Sequence, residues 1–174
     1  MEKTMMSHRT VSLRKLTLLA LFTAAGAVIS PLLRVHGFAP TQHFINVVCA
    51  VFLGPYYALV CAVSIGIIRM SLLGITPLAL TGAVFGAFLS GLLYRRFNSI
   101  FSAVLGEVIG TGIIGSMVSY PVMKFIMGSD KVSLFYFTPS FILATLIGGG
   151  VAFLFLSALS KNKTLDKMKA ELNG

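Results

Sequence analysis

The side chains best suited to chemistry are the few ionisable and hydrogen-bonding groups set among long apolar runs. Glu107 is the only acidic residue inside such a run, with Thr111 one turn further along the same helical face. An unpaired carboxylate in hydrocarbon is strongly disfavoured. Glu107 is therefore expected to be protonated, hydrogen-bonded or close to the inner interface, and a structural role competes with a ligand role. Gln42, His43 and Asn46 open one apolar run and Arg69 lies near the end of the next. Arg69 could equally hold a ligand or snorkel to headgroups, and Gln42 and His43 could equally cap a helix. An acid–base pair of His43 with Glu107 is not expected, because the reading places them near opposite ends of the chain's helical bundle. There is no Walker A sequence, no His-Glu-x-x-His, no Gly-x-Ser-x-Gly and no close pair of intramembrane aspartates, so neither nucleotide binding nor hydrolysis has a constellation to carry it. The chain is not expected to be an enzyme, and no metal or cofactor is implied.

These groups must be positioned by membrane helices. Hydrophobic residues make up 56% of the chain and charged residues 11%, about half the charge of an ordinary soluble domain, and mean hydropathy is +0.92. The apolar runs are Leu16–Leu33, Phe44–Leu53, Tyr57–Leu73, Leu78–Tyr94, Ile100–Lys124 and Ser140–Ser160. A span needs about 20 residues to cross a hydrocarbon core of about 30 Å. Five runs meet that length. The second is short even if it starts at Thr41, and Gly54-Pro55 closes it, so part of its depth must lean on protein. The expected fold is an all-α membrane protein, a bundle of six transmembrane helices over approximately 16–33, 41–54, 57–73, 78–94, 100–124 and 140–160, in one domain covering 1–174. A signal-peptide reading of the first run is less economical, given five further runs. Cys49 and Cys61 lie within helices as small hydrophobes.

Charge sets the orientation. With both termini cytoplasmic, the inner side holds Lys3, Arg9, Arg14, Lys15, Arg95, Arg96, Lys161, Lys163, Lys167 and Lys169, against Arg34, Arg69, Lys124 and Lys131 outside. That is the asymmetry of the positive-inside rule, and it accounts for the net charge of +9 without invoking nucleic acid. On this topology the polar groups gather in the outer half: Gln42, His43, Asn46, Arg69, Thr76, Thr81, Ser116, Ser119, Tyr120, Tyr136, Thr138, Ser140 and Thr145. Phe38, Phe44, Phe135, Phe137 and Phe141 accompany them. An outward pocket with aromatic walls and a few polar groups suits a small organic ligand. The duller uses stand beside it: Asn46 can bond a neighbouring helix, Tyr120 and Tyr136 can serve an interface belt, and Thr81, Ser119 and Thr138 can bond their own helix carbonyls.

Small residues at i, i+4 spacing mark where helices can approach closely. Gly82, Gly86 and Ser90, then Gly106 and Gly110, Gly115 and Ser119, and Ala144, Gly148 and Ala152 are read as packing inside the bundle. Ala20 and Ala24 could face another helix or another subunit.

Several blocks resemble the ThiW family: Pro40-Thr41-Gln42-His43-Phe44-Ile45-Asn46 continuing to Leu53-Gly54-Pro55-Tyr56-Tyr57, Ile68-Arg69 with Leu73-Gly74, Gly91-Leu92-Leu93-Tyr94-Arg95-Arg96, and Gly106-Glu107-Val108-Ile109-Gly110-Thr111-Gly112-Ile113-Ile114-Gly115. The similarity runs from about Leu16 to Leu159. It implies a substrate-binding S component of an energy-coupling-factor transporter in a bacterial cell membrane, working with a transmembrane coupling subunit and two cytoplasmic ATPases. It also implies a thiamine-related cargo, with hydroxyethylthiazole first and thiamine or its pyrimidine precursor second. Ala20 and Ala24 match the alanine stripe that meets the coupling subunit in such proteins. The family tends to have Phe-Pro-Gly where this chain has Leu80-Thr81-Gly82. The substrate-binding candidates are Gln42, His43, Asn46, Arg69, Thr81, Glu107, Ser119, Tyr120, Tyr136 and Thr138. From a different class, a stand-alone carrier driven by protons through Glu107 stays open.

Overall fold

The computed structural model describes residues 12–33 and 39–173. Lys3, Arg9, Arg34 and Phe38 lie outside the described residues. Those described form helices and no strand: α1 Leu13–Leu32, α2 Pro40–Leu53, α3 Pro55–Leu73, α4 Leu78–Phe97, α5 Ile100–Ile126, α6 Thr138–Lys161 and α7 Thr164–Asn173. Five of them, α1 and α3 to α6, are long and apolar enough to cross a membrane, and α2 is the shorter apolar helix.

Local chemistry sets these boundaries. Pro40 and Pro55 begin α2 and α3, where a missing N–H costs nothing. Gly54 separates the two helices at φ +86°, a conformation that side chains resist. Asn98, in the left-handed region, ends α4 just after Arg95 and Arg96, whose charges suit a helix C-terminus. α5 is not uniform: π-helical turns occupy Val108–Gly115 and Val122–Ile126. Pro121 has no N–H to return to the preceding turn, and the second widened stretch follows it directly.

α2 is the centre of the bundle. Of its 14 residues, 12 are buried, so this helix meets protein on nearly every side, as its shortness requires. The core around it joins Val47, Val51 and Phe52 to Ile65, Ala87, Ala103 and Leu156 of the surrounding helices. α4 and α5 run against each other backbone to backbone. A Cβ on Gly110 would sit 2.5 Å from the Phe85 carbonyl oxygen, and one on Gly106 would sit 2.6 Å from that of Leu89. The small-residue stripes of these two helices thus face one another. On α1, by contrast, Ala20 and Ala24 are exposed.

α7 was not foreseen. Leu165, Met168 and Leu172 recur at helical spacing, and Leu165 is buried at the end of the bundle that carries the start of α1. The Lys169 ammonium lies 4.5 Å from the centre of the Tyr94 ring and donates to its hydroxyl at 2.9 Å, and Arg14 donates to the Glu171 carbonyl at 2.6 Å. The basic residues after Ser160 therefore belong partly to a docked amphipathic helix rather than to a free tail.

Candidate functional site

Residues from α2, α3, α4, α6 and the α3–α4 connection enclose a cavity of about 110 Å³. It lies at the end of the bundle opposite α7 and the start of α1. Gln42, His43, Arg69 and Thr76 supply its polar wall, and Phe141 and Ala79 are among its apolar ones. An apolar cavity of about 150 Å³ holds benzene; this space is somewhat smaller, on the scale of a single small ring. A larger crevice of about 540 Å³ between α1, α2 and α6 is lined by Phe22, Ile29, Phe44, Ile147 and similar groups, with Thr41 its one polar side chain. It lacks the convergent polar groups that orient a ligand.

Behind the polar wall runs a chain of buried hydrogen bonds. Arg69, 3% exposed, donates through Nη1 to Gln42 Oε1 at 3.3 Å, and Ser30 Oγ reaches the same oxygen at 3.5 Å. Gln42 Nε2 donates to Asn46 Oδ1 at 3.0 Å. Asn46 Nδ2 donates to Glu107 Oε1 at 3.0 Å and to the Ala83 carbonyl at 3.3 Å. Thr111 Oγ1 donates to Glu107 Oε1 at 3.2 Å, and His43 Nδ1 lies 2.8 Å from that oxygen. Glu107 is fully buried, and its Oε2 has no hydrogen-bond partner among the described residues. Such a connected arrangement holds each member in one orientation, because rotating any of them would strand its neighbours.

Contact between His43 and Glu107 corrects the expectation that they lie near opposite ends. The reason is the length of α2. Its 14 residues rise only about 21 Å, so its first turn reaches only mid-depth. Pro40, His43 and Phe44 accordingly lie against Gly148, well inside α6. Glu107, two turns up from the start of α5, meets that level from below. The pair therefore joins two helices at the middle of the bundle. Likewise Arg69 does not snorkel: its side chain turns inward to Gln42.

The carboxyl group has a seat of its own. A Cβ on Gly86 would lie 2.7 Å from Glu107 Oε2 and would collide with Thr111 Oγ1. The missing side chain at Gly86 is what admits both groups between α4 and α5. Thr111 lies within the π-helical stretch that follows Glu107; widened turns of this kind are frequent at functional sites.

Five of the candidate residues, Gln42, His43, Asn46, Arg69 and Glu107, thus converge. The other five do not reach the cavity. Thr81 and Ser119 share a hydrogen bond at 2.6 Å between α4 and α5, and Ser116 and Thr138 share one at 2.9 Å between α5 and α6. These hydroxyls tie helices together, a familiar use in apolar bundles. Tyr120 accepts from Lys124 Nζ at 3.0 Å, and Tyr136 is exposed, edge-on to Phe137. Ser30, Ala83 and Gly86 were missed as parts of the site. Only Gly86 carried a signal, through its place in a glycine stripe.

Apolar helices gathered around a small, partly polar cavity define a multi-pass membrane protein with room inside for a small molecule. The chain belongs to the thiamine-precursor transporter protein family, ThiW, whose model matches residues 16–162. This is a family of transporters and not of enzymes. Comparison with curated proteins and with solved structures returned no match.

Proposed function

We propose that the protein is the membrane-embedded S component of an energy-coupling-factor transporter in a bacterial membrane, and that it captures hydroxyethylthiazole from outside. In this reading six helices span, both termini and α7 are cytoplasmic, and the cavity opens to the exterior. The observation that carries it is the small cavity walled by Gln42, His43 and Arg69 on one side and Phe141 on another. A neutral aromatic heterocycle bearing one hydroxyl needs a ring wall and a few fixed donors and acceptors, and those groups provide them. The exposed alanines Ala20 and Ala24 support the remaining part, a smooth face of α1 for a coupling subunit.

Uptake should then require the coupling subunit and its two ATPases. In proteoliposomes, accumulation of labelled hydroxyethylthiazole is expected with the complete assembly and ATP. Exchanging Ala20 or Ala24 for Leu should cut that accumulation several-fold while ligand binding to the isolated chain stays within about twofold. Accumulation by this chain alone under a pH gradient would contradict the proposal and favour a proton-driven carrier using the His43–Glu107 pair.

A further inference from the structure

The directions of the amide hydrogen bonds behind the cavity follow from the donor-only guanidinium at one end. Arg69 has only donors, so Gln42 must offer it Oε1, which leaves Gln42 Nε2 to donate to Asn46. Asn46 then presents Oδ1 to Gln42 and Nδ2 to the remaining partners, the Ala83 carbonyl and Glu107 Oε1, both of which accept. Glu107 Oε1 thus receives Asn46, and Thr111 as well. An oxygen already taking two donors is a poor place for a carboxyl proton. A proton on Oε2 instead would leave Oε1 an acceptor all the same. With either form of Glu107, the short contact to His43 is satisfied by a hydrogen on the imidazole Nδ1.

We propose that Glu107 is a positioning residue that fixes His43 with its hydrogen on Nδ1, so that Nε2 is an acceptor facing the cavity. Nε2 makes no hydrogen bond to a described residue and is not among the side-chain atoms sealed from solvent without one. Because His43 forms part of the cavity wall, Nε2 is the nitrogen the ring shows to a ligand. Arg69, whose guanidinium can only donate, lines the same small space. The cavity therefore has an acceptor on α2 and a donor on α3. It selects a small ring that carries a hydrogen-bond donor, a hydroxyl or amino group, together with an acceptor for the guanidinium. For hydroxyethylthiazole this assigns the hydroxyl hydrogen to His43 Nε2 and the ring nitrogen to the Arg69 side. That assignment rests on the thiazole reading above, whereas the tautomer does not.

The chain has three histidines, His8, His36 and His43, so nitrogen NMR of the full-length protein, labelled in histidine and held in lipid nanodiscs, resolves the question once a His43→Gln spectrum identifies the signal. His43 should carry its hydrogen on Nδ1 in the wild type and in Glu107→Gln, whose Oε1 still accepts. In Glu107→Leu that preference should be lost, a change that a purely structural role for Glu107 would not produce. The matching ligand test compares hydroxyethylthiazole with its methyl ether, which cannot donate, and the ether should bind at least tenfold more weakly. A hydrogen on Nε2 in the wild type, alone or together with Nδ1, would overturn the proposal. Equal affinity for the ether would overturn the selection it confers. If Nδ1 is protonated and neither compound binds, the tautomer stands and the thiazole reading fails.

Discussion

Glu107→Leu is expected to lose about 3–5 kcal/mol of stability, the combined and not fully additive cost of leaving three buried donors without their acceptor. Leu is close in size and more apolar than the carboxyl it replaces, so hydrophobicity alone would predict a gain. The loss comes from the groups left behind. His43, Asn46 and Thr111 all direct hydrogens at Oε1, and each would be stranded in the buried centre of the bundle, at about 1–3 kcal/mol per unpaired group, not fully additive. Thermal unfolding in detergent should fall by about 10 °C, with thiazole binding weakened at least a hundredfold as His43 and Asn46 relax. Glu107→Gln keeps the acceptor and should fall by only a few degrees. A leucine variant as stable as the wild type would show that the network does not hold the bundle's centre.

Gly110→Ala should be comparably damaging for a different reason. Its Cβ would stand 2.5 Å from the Phe85 carbonyl oxygen and 2.6 Å from the Gly86 Cα. Both are backbone atoms that no rotamer change can move, so α4 and α5 must part along their shared face. Overpacking of this kind costs up to about 3 kcal/mol and occasionally more, and separating the helices also opens the Glu107 seat at Gly86. The variant is expected to give a poor yield of monodisperse protein and a clearly lower unfolding temperature. Gly150→Ala is the matched control, because nothing lies within 4 Å of a Cβ placed there. It should be neutral or slightly stabilising through helix propensity. Equal behaviour of the two would contradict direct backbone contact between α4 and α5.

Much of this architecture was legible because apolar run length and breaker residues speak locally. Gly54-Pro55 ended α2 where expected, and the six apolar stretches differ from the helices by only a few residues at each end. The stripe Gly82–Gly86–Ser90 was read as a packing face, and it meets the glycines of α5. Depth was harder. A short helix can begin at a membrane surface or at mid-bundle, and composition does not distinguish the two. Placing His43 at the surface separated it from Glu107, although the shortness of α2 already contained the answer. For the hydroxyl residues it is the helix face, not the depth, that sequence leaves open. Thr81, Ser119 and Thr138 are polar and lie in one half of the bundle, but which face of a helix they occupy depends on its neighbours, and here Thr81 bonds Ser119 while Thr138 bonds Ser116. α7 escaped notice because its apolar stripe is too brief to stand out from a basic tail.

The central claim, that the cavity walled by His43 and backed by Asn46 is the thiazole site, is tested most directly by calorimetric titration of hydroxyethylthiazole into the purified wild type, His43→Ala and Asn46→Ala. With about nine non-hydrogen atoms, the ligand can reach nanomolar affinity in an enclosed site within a ceiling of roughly −1.5 kcal/mol per atom. His43→Ala removes the acceptor on the cavity wall. Asn46→Ala breaks the link between Gln42 and Glu107, freeing Gln42 and Arg69 from their fixed directions. Each loss should cost about 1–3 kcal/mol. The expected result is therefore tight binding to the wild type and binding at least tenfold weaker to both variants, each still inserted and monodisperse. Wild-type affinity in both variants would contradict the assignment of this cavity.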